Sequence, residues 1–225
     1  MKAKSLLIAG AALAASLMTS KAQVYSQNIV GYINVPVNSG YNLVANQLDL
    51  DGTGTNNTVI TVLGTNSLPA GSEVLTWNGS GYVVNSFSIP PRKTVPVWGT
   101  PNAPLNPGAG FFVYNPGPAT NITEVGNVIQ GTNANPQLVS SGFSLLGGVS
   151  PVAGDLQTNL NYSPNLGDQV YVYNGSGYTV YSFVVPPRKT QAVWSPGTPQ
   201  ISIGQGFFLE TTNSSPNWTE ILNVQ

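Results

Sequence analysis

Beyond residue 23 the chain reads as short runs in which apolar and polar residues alternate, each run closed by Gly, Pro, Asn or Ser. A period of two marks strands with one buried face, and it predicts an all-β fold. The clearest unit is Glu73 to Trp77, then Asn78-Gly79-Ser80-Gly81, then Tyr82 to Phe87. This is a β-hairpin whose Asn-Gly supplies the positive φ angles of a tight turn. Val170 to Tyr173 and Tyr178 to Phe183 flank a second turn of the same kind. Pro90-Pro91 and Pro186-Pro187 end the strands before them, because proline brings no N–H to a ladder. Further strands are expected at Tyr41 to Asn46, Val95 to Trp98, Gly110 to Tyr114 and Ile122 to Val128, with counterparts later in the chain. Asn57 to Leu63 and Asp155 to Leu160, each opening on a residue able to cap, are the two candidate short helices.

The pattern occurs twice. Trp77-Asn78-Gly79-Ser80-Gly81-Tyr82 returns as Tyr173-Asn174-Gly175-Ser176-Gly177-Tyr178, and Pro90-Pro91-Arg92-Lys93-Thr94 returns unchanged as Pro186-Pro187-Arg188-Lys189-Thr190. Gly108-Ala109-Gly110-Phe111-Phe112 returns as Gly204-Gln205-Gly206-Phe207-Phe208, at the same offset of 173 − 77 = 96. Upstream, Ser39-Gly40-Tyr41 matches Ser141-Gly142-Phe143 at an offset of 141 − 39 = 102, so the first copy holds about six extra residues, placed within Leu48 to Thr58. Two tandem modules of about six strands each are therefore expected, over 24–130 and 131–225, as sandwiches or small barrels. One strand motif occurs three times, at Val30 to Ile33, Val125 to Val128 and Ile221 to Val224. That surplus strand is expected to complete a sheet within the molecule, or else to pair with an exposed edge of a neighbour.

Composition narrows the function classes. Residues 1–22 have the parts of a secretory signal: Lys2 and Lys4, the apolar run Leu6 to Met18, and Ser20-Lys21-Ala22 before a cleavage at Gln23. The run is shorter than the roughly 20 residues of a membrane span, so removal is expected, with no span in the remaining 225 − 22 = 203 residues. Four basic residues then face eight acidic ones, a net charge of about 4 − 8 = −4, which argues against a nucleic-acid partner. The chain has neither cysteine nor histidine. Its cohesion must come from burial and ladder hydrogen bonds, and the commonest general base and metal ligand are missing.

The blocks Gly40-Tyr41-Asn42-Leu43-Val44-Ala45-Asn46, Trp77 to Tyr82 and Pro107-Gly108-Ala109-Gly110-Phe111-Phe112-Val113 carry a resemblance. They look like a recurring module of exported bacterial proteins, and the chain beyond the signal is similar to a family of secreted, internally duplicated β-rich proteins of unknown function. The resemblance implies a β-rich extracellular role and brings no catalytic residue. Copy two departs from the pattern at Gly147-Gly148, where copy one has Asn46-Gln47, which sets the copies apart as binding units.

Three groups of side chains are candidates for chemistry. Trp77, Tyr82, Trp98, Tyr178 and Trp194 recur around the hairpin and the strand after the double proline, and flat rings on a sheet can stack sugars or fill a core. Adjacent pairs such as Phe111-Phe112 must point to opposite faces, one to the core and the other to an intermodule or surface contact. Arg92 and Arg188 are either contacts for an anionic ligand or halves of the structural ion pairs Arg92–Glu124 and Arg188–Glu220. Asp49 and Asp51, in a glycine-rich stretch, resemble half of a calcium loop, without the third acid and closing Glu that such a loop uses. The expectation is a secreted or cell-surface protein (or a periplasmic one), structural or interacting, without catalytic residues, cofactor or bound metal. The alternative is a carbohydrate-binding module using Trp and Tyr platforms, and surface glycans or a second copy of the chain are the expected partners.

Overall fold

The computed structural model describes residues 29–138, 141–214 and 216–224; the expected signal segment, 1–22, lies outside them. The first half forms β1 (Val30–Val37), β2 (Gly40–Ala45), α1 (Val59–Leu63), β3 (Glu73–Trp77), β4 (Tyr82–Ser88), β5 (Val97–Trp98), β6 (Gly110–Asn115) and β7 (Thr120–Asn127). The second forms β8 (Gly131–Ala134), β9 (Gly142–Leu146), β10 (Gly154–Asp155), β11 (Gln169–Tyr173), β12 (Tyr178–Val184), β13 (Val193–Ser195), β14 (Gln200–Ile201), β15 (Phe207–Thr211) and β16 (Thr219–Leu222). The fold is all-β. Two five-stranded antiparallel sheets, β2-β6-β3-β4-β5 and β9-β15-β11-β12-β13, have the same strand order once the repeat offset is applied.

The thrice-written strand motif is resolved within the chain. β1 pairs with β7 from Val30 opposite Asn127 to Val37 opposite Thr120, and β8 pairs likewise with β16. Of the two candidate helices only α1 forms, its Thr58 N–H donating to Thr61 Oγ at 2.8 Å. Residues 155–160 make a turn instead. The Asp155 carboxylate takes the N–H groups of Gln157 and Thr158, while Gly154 and Asp155 are already paired with β14.

Alternation along the strands gives each sheet two apolar faces. Val44, Val74, Phe87, Phe111 and Val113 pack in the first half's own core, and Leu146, Val170, Phe207 and Leu209 in the second's. Residues of the opposite parity, Leu43, Phe112, Leu145 and Phe208 with Leu75, Trp77, Tyr171 and Tyr173, meet in a third cluster between the halves, so the sheets face each other as in a sandwich. Each Phe-Phe pair thus divides between a half's own core and the layer shared by both.

The halves also exchange backbone hydrogen bonds. Ala45 N–H donates to Gly204 O at 2.9 Å, and Gly147 N–H to Gly108 O at 3.0 Å, the same pair after the offsets of 102 and 96. This reciprocity defines a local two-fold. It also explains the Gly-x-Gly-Phe-Phe motif: a Cβ on Gly110 would lie 2.6 Å from Leu146 O, and one on Gly206 2.5 Å from Val44 O. At Gly147 a Cβ would overlap that of Ala45. The glycines stand where the two backbones cross.

Candidate binding clefts at the junction of the halves

The hydroxyls of Tyr82 and its copy Tyr178 lie close enough to act on each other, which places them near the local two-fold. The two tyrosines sit at the start of β4 and β12, beside the hairpin turns. An aromatic cleft opens on either side.

The first cleft, about 300 Å³, is lined by Trp77, Tyr82, Phe143, Tyr171, Tyr178 and Phe208. Phe208 is its buried floor. Trp77, Tyr82, Phe143 and Tyr178 stand at 68–89° to it with centroids 5.6–6.4 Å away. The Trp77 indole N–H donates across the halves to Phe143 O at 3.2 Å, and Tyr171 OH donates to Glu210 Oε2 at 2.7 Å. Burial, and then the Glu210 carboxylate, push the Tyr171 hydroxyl up to about 12.

The second cleft, again about 300 Å³, is lined by Tyr41, Leu75, Tyr82, Phe112 and Tyr173. These are counterparts of the first set, with Phe112 as the floor: Tyr41 and Tyr173 lie 6.2 and 5.3 Å from it, nearly perpendicular. Beyond Tyr41 and Tyr173 this cleft runs into a polar groove of about 360 Å³ that includes Asn38, Asn42, Asn174, Ser202 and Gln205. Asn174 Oδ1 accepts the N–H groups of Ser176 and Gly177, and Gln205 Oε1 accepts that of Ser202. These bonds fix the carbonyl end of each amide and leave its NH₂ end as the donor toward a ligand. No charged residue lines this groove.

Among the residues singled out from sequence, Trp77, Tyr82 and Tyr178 come together at these clefts, and the others do not. Trp98 and Trp194 are only 3% and 6% exposed, packed against Phe87 and Phe183 in each half's own core, so neither can serve as a ligand platform. The ion pairs Arg92–Glu124 and Arg188–Glu220 give way to a different arrangement. Both arginines are exposed in turns, at φ 64° and 65°, whereas both glutamates are buried. Glu220 accepts the N–H groups of Val149 and Ser150, at 2.7 and 3.2 Å, while Glu124 accepts that of Gln47 and leaves Oε2 without a partner among the described residues. Burial raises both carboxyls, Glu124 to about 8 and Glu220 to about 7. A weaker burial effect, and then the second amide, go with the lower value at Glu220.

The calcium-like loop is closed on itself. Asp49 accepts from Gly54 N–H and the Asn57 amide, and Asp51 from Thr53 and the Asn56 amide. Among the described residues no three acids gather as a metal site, and no helix is long and apolar enough to cross a membrane.

Sequence reading missed Tyr41, Phe112, Phe143, Tyr171, Tyr173 and Phe208 as cleft residues. The signal was available: all six have the strand parity that points away from each half's own core, and the repeat pairs Tyr41 with Phe143, Phe112 with Phe208 and Trp77 with Tyr173. Comparison with family models, curated proteins and solved structures finds no match, so any functional reading of these clefts rests on their geometry.

Proposed function

We propose that this chain is a non-catalytic binding protein of the cell exterior, and that the Tyr41–Tyr173 cleft with its amide-edged groove takes a neutral polysaccharide. One observation carries the reading: two half-exposed tyrosine rings, one from each half, border fixed Asn and Gln amides in a groove without charge. Sugar rings present C–H faces that pack on aromatic rings and hydroxyls that need amide partners. Export rests on the signal-like residues 1–22. The non-catalytic reading is supported by the chain's lack of histidine and by the buried acids. Asp168, for instance, accepts from Tyr162 OH, Asn165 N–H and Thr211 Oγ rather than facing a cleft.

The test is retention on immobilised neutral polysaccharides. Wild type should be retarded on at least one, and Tyr41→Ala or Tyr173→Ala should abolish retardation without shifting thermal unfolding by more than a few degrees. Retention unaffected by both substitutions would refute the assignment. A second reading, self-association, is favoured by Val84, Val97, Val180 and Val193, which are exposed on the same sheet faces as Tyr82 and Tyr178. Sedimentation distinguishes it, since a concentration-independent monomer leaves only the glycan reading.

A further inference from the structure

The two clefts correspond in position but not in chemistry. In the Trp77 cleft every lining residue is aromatic, and its indole N–H and the Tyr171 hydroxyl are already engaged. The Trp77 indole is bonded to Phe143 O and the Tyr171 hydroxyl to Glu210, and the Tyr82 and Tyr178 hydroxyls lie beside each other. A sugar hydroxyl would find fewer partners here than in the amide-edged groove, so the cleft suits a group that asks for none. What it offers is π surface, and a ring face carries negative potential.

Charge then decides between a neutral apolar group and a cation. The Glu210 carboxylate stands directly behind the Tyr171 wall. The four basic residues beyond the signal segment are Arg92, Lys93, Arg188 and Lys189, in the two exposed proline turns, and none lines the cleft. In the second cleft Leu75 replaces Tyr171, so the sixth ring is missing there; Tyr114 stands at the position equivalent to Glu210 (210 − 96 = 114), with Glu73 opposite it as the acid on that side. Electron-rich rings around a cavity of about 300 Å³, backed by one anion, match a bulky cation with no N–H to satisfy.

We propose that the Trp77 cleft binds a quaternary trimethylammonium group, the cationic end shared by choline, phosphocholine and trimethyl-lysine. This site lies apart from the polysaccharide groove and depends on different residues, Phe143 and Tyr171 with Glu210 rather than Tyr41 and Tyr173.

The experiment titrates choline chloride into ¹⁵N-labelled protein at constant ionic strength and follows the Trp77 indole resonance, beside a parallel titration with 3,3-dimethylbutan-1-ol, the uncharged isostere. Choline should saturate the shift and bind at least about tenfold more tightly than the alcohol. Glu210→Gln, which keeps the Tyr171 ring in place, should weaken choline by at least twofold, and Phe143→Ala by at least fivefold. Tyr41→Ala, in the other cleft, should change nothing. Equal affinity for choline and alcohol, or no saturable shift with choline, would overturn the proposal, whatever the polysaccharide assay gives. With choline binding established, a trimethyl-lysine peptide and phosphocholine-headed vesicles, compared for protection by choline, identify which source the cleft prefers.

Discussion

Two buried glutamates, in the same place in each half, have different partners. Glu220 holds two backbone N–H groups and Glu124 one, and both carboxyls are raised from the ordinary 4.5 because ionisation must occur away from water. An acid raised by folding holds its proton longer in the native state than in the unfolded one. Its stabilisation is therefore complete below pH 4.5 and lost as pH rises through about 7 for Glu220 and about 8 for Glu124. Stability should fall between pH 5 and 8 by up to about 1.4 kcal/mol per pH unit for each group still protonated. Glu124→Gln, which keeps an acceptor for Gln47, should flatten the upper part of that slope and raise the melting temperature at pH 8. Urea denaturation at pH 5, 6.5 and 8 measures both, and a wild type more stable at pH 8 than at pH 5 would contradict the assignment. Nothing in the sequence announces this burial. Glu124 and Glu220 recur at one offset beside Arg92 and Arg188, and recurrence alone suggests an ion pair; only the crossing of chains beside the local two-fold removes the carboxylates from water.

The turns at Pro90 to Lys93 and Pro186 to Lys189 each hold a strained residue. Each closes with the Lys N–H on the first proline's carbonyl at 3.1 Å, and each places an arginine where a type II turn asks for glycine, at φ 64° and 65°. The left-handed conformation costs an L-residue about 1–2 kcal/mol, partly offset by glycine's greater chain entropy when unfolded. Arg92→Gly and Arg188→Gly should each stabilise the protein by about 0.5–1 kcal/mol. Calorimetry would show a melting temperature raised by either substitution, whereas a loss of more than about 1 kcal/mol would mean that the guanidinium makes a contact that holds the fold. At this scale much was legible. Asn-Gly and Pro-Pro mark the hairpins and strand ends because their backbone requirements are local, and β3 matches its expected bounds of Glu73 and Trp77. Residues 155–160 were not legible, since a strand pairing with Gln200 and Ile201 competes there with the local helical signal. Trp98 and Trp194 were not legible either, as a short strand of two or three residues gives no parity by which to tell core from surface.

Across the molecule, the repeats interlock. Facing sheets, reciprocal backbone hydrogen bonds and the Tyr82–Tyr178 contact make the two halves mutually dependent, and both clefts draw their walls from each half. The duplication itself could be read from the constant offset, but the way its copies meet could not, because a period in sequence carries no information about which faces oppose. The glycines that permit the crossing are visible only as part of a motif until the second backbone is in place. The interlocked halves are therefore expected to unfold as one cooperative body, with the proposed binding surface present only at their junction. The most direct test is urea unfolding of the wild-type chain followed by NMR at equivalent core amides, Val74 in β3 and Val170 in β11. One shared midpoint and one slope are expected for both residues. Two separated midpoints, with either half keeping its native resonances after the other has unfolded, would contradict that expectation.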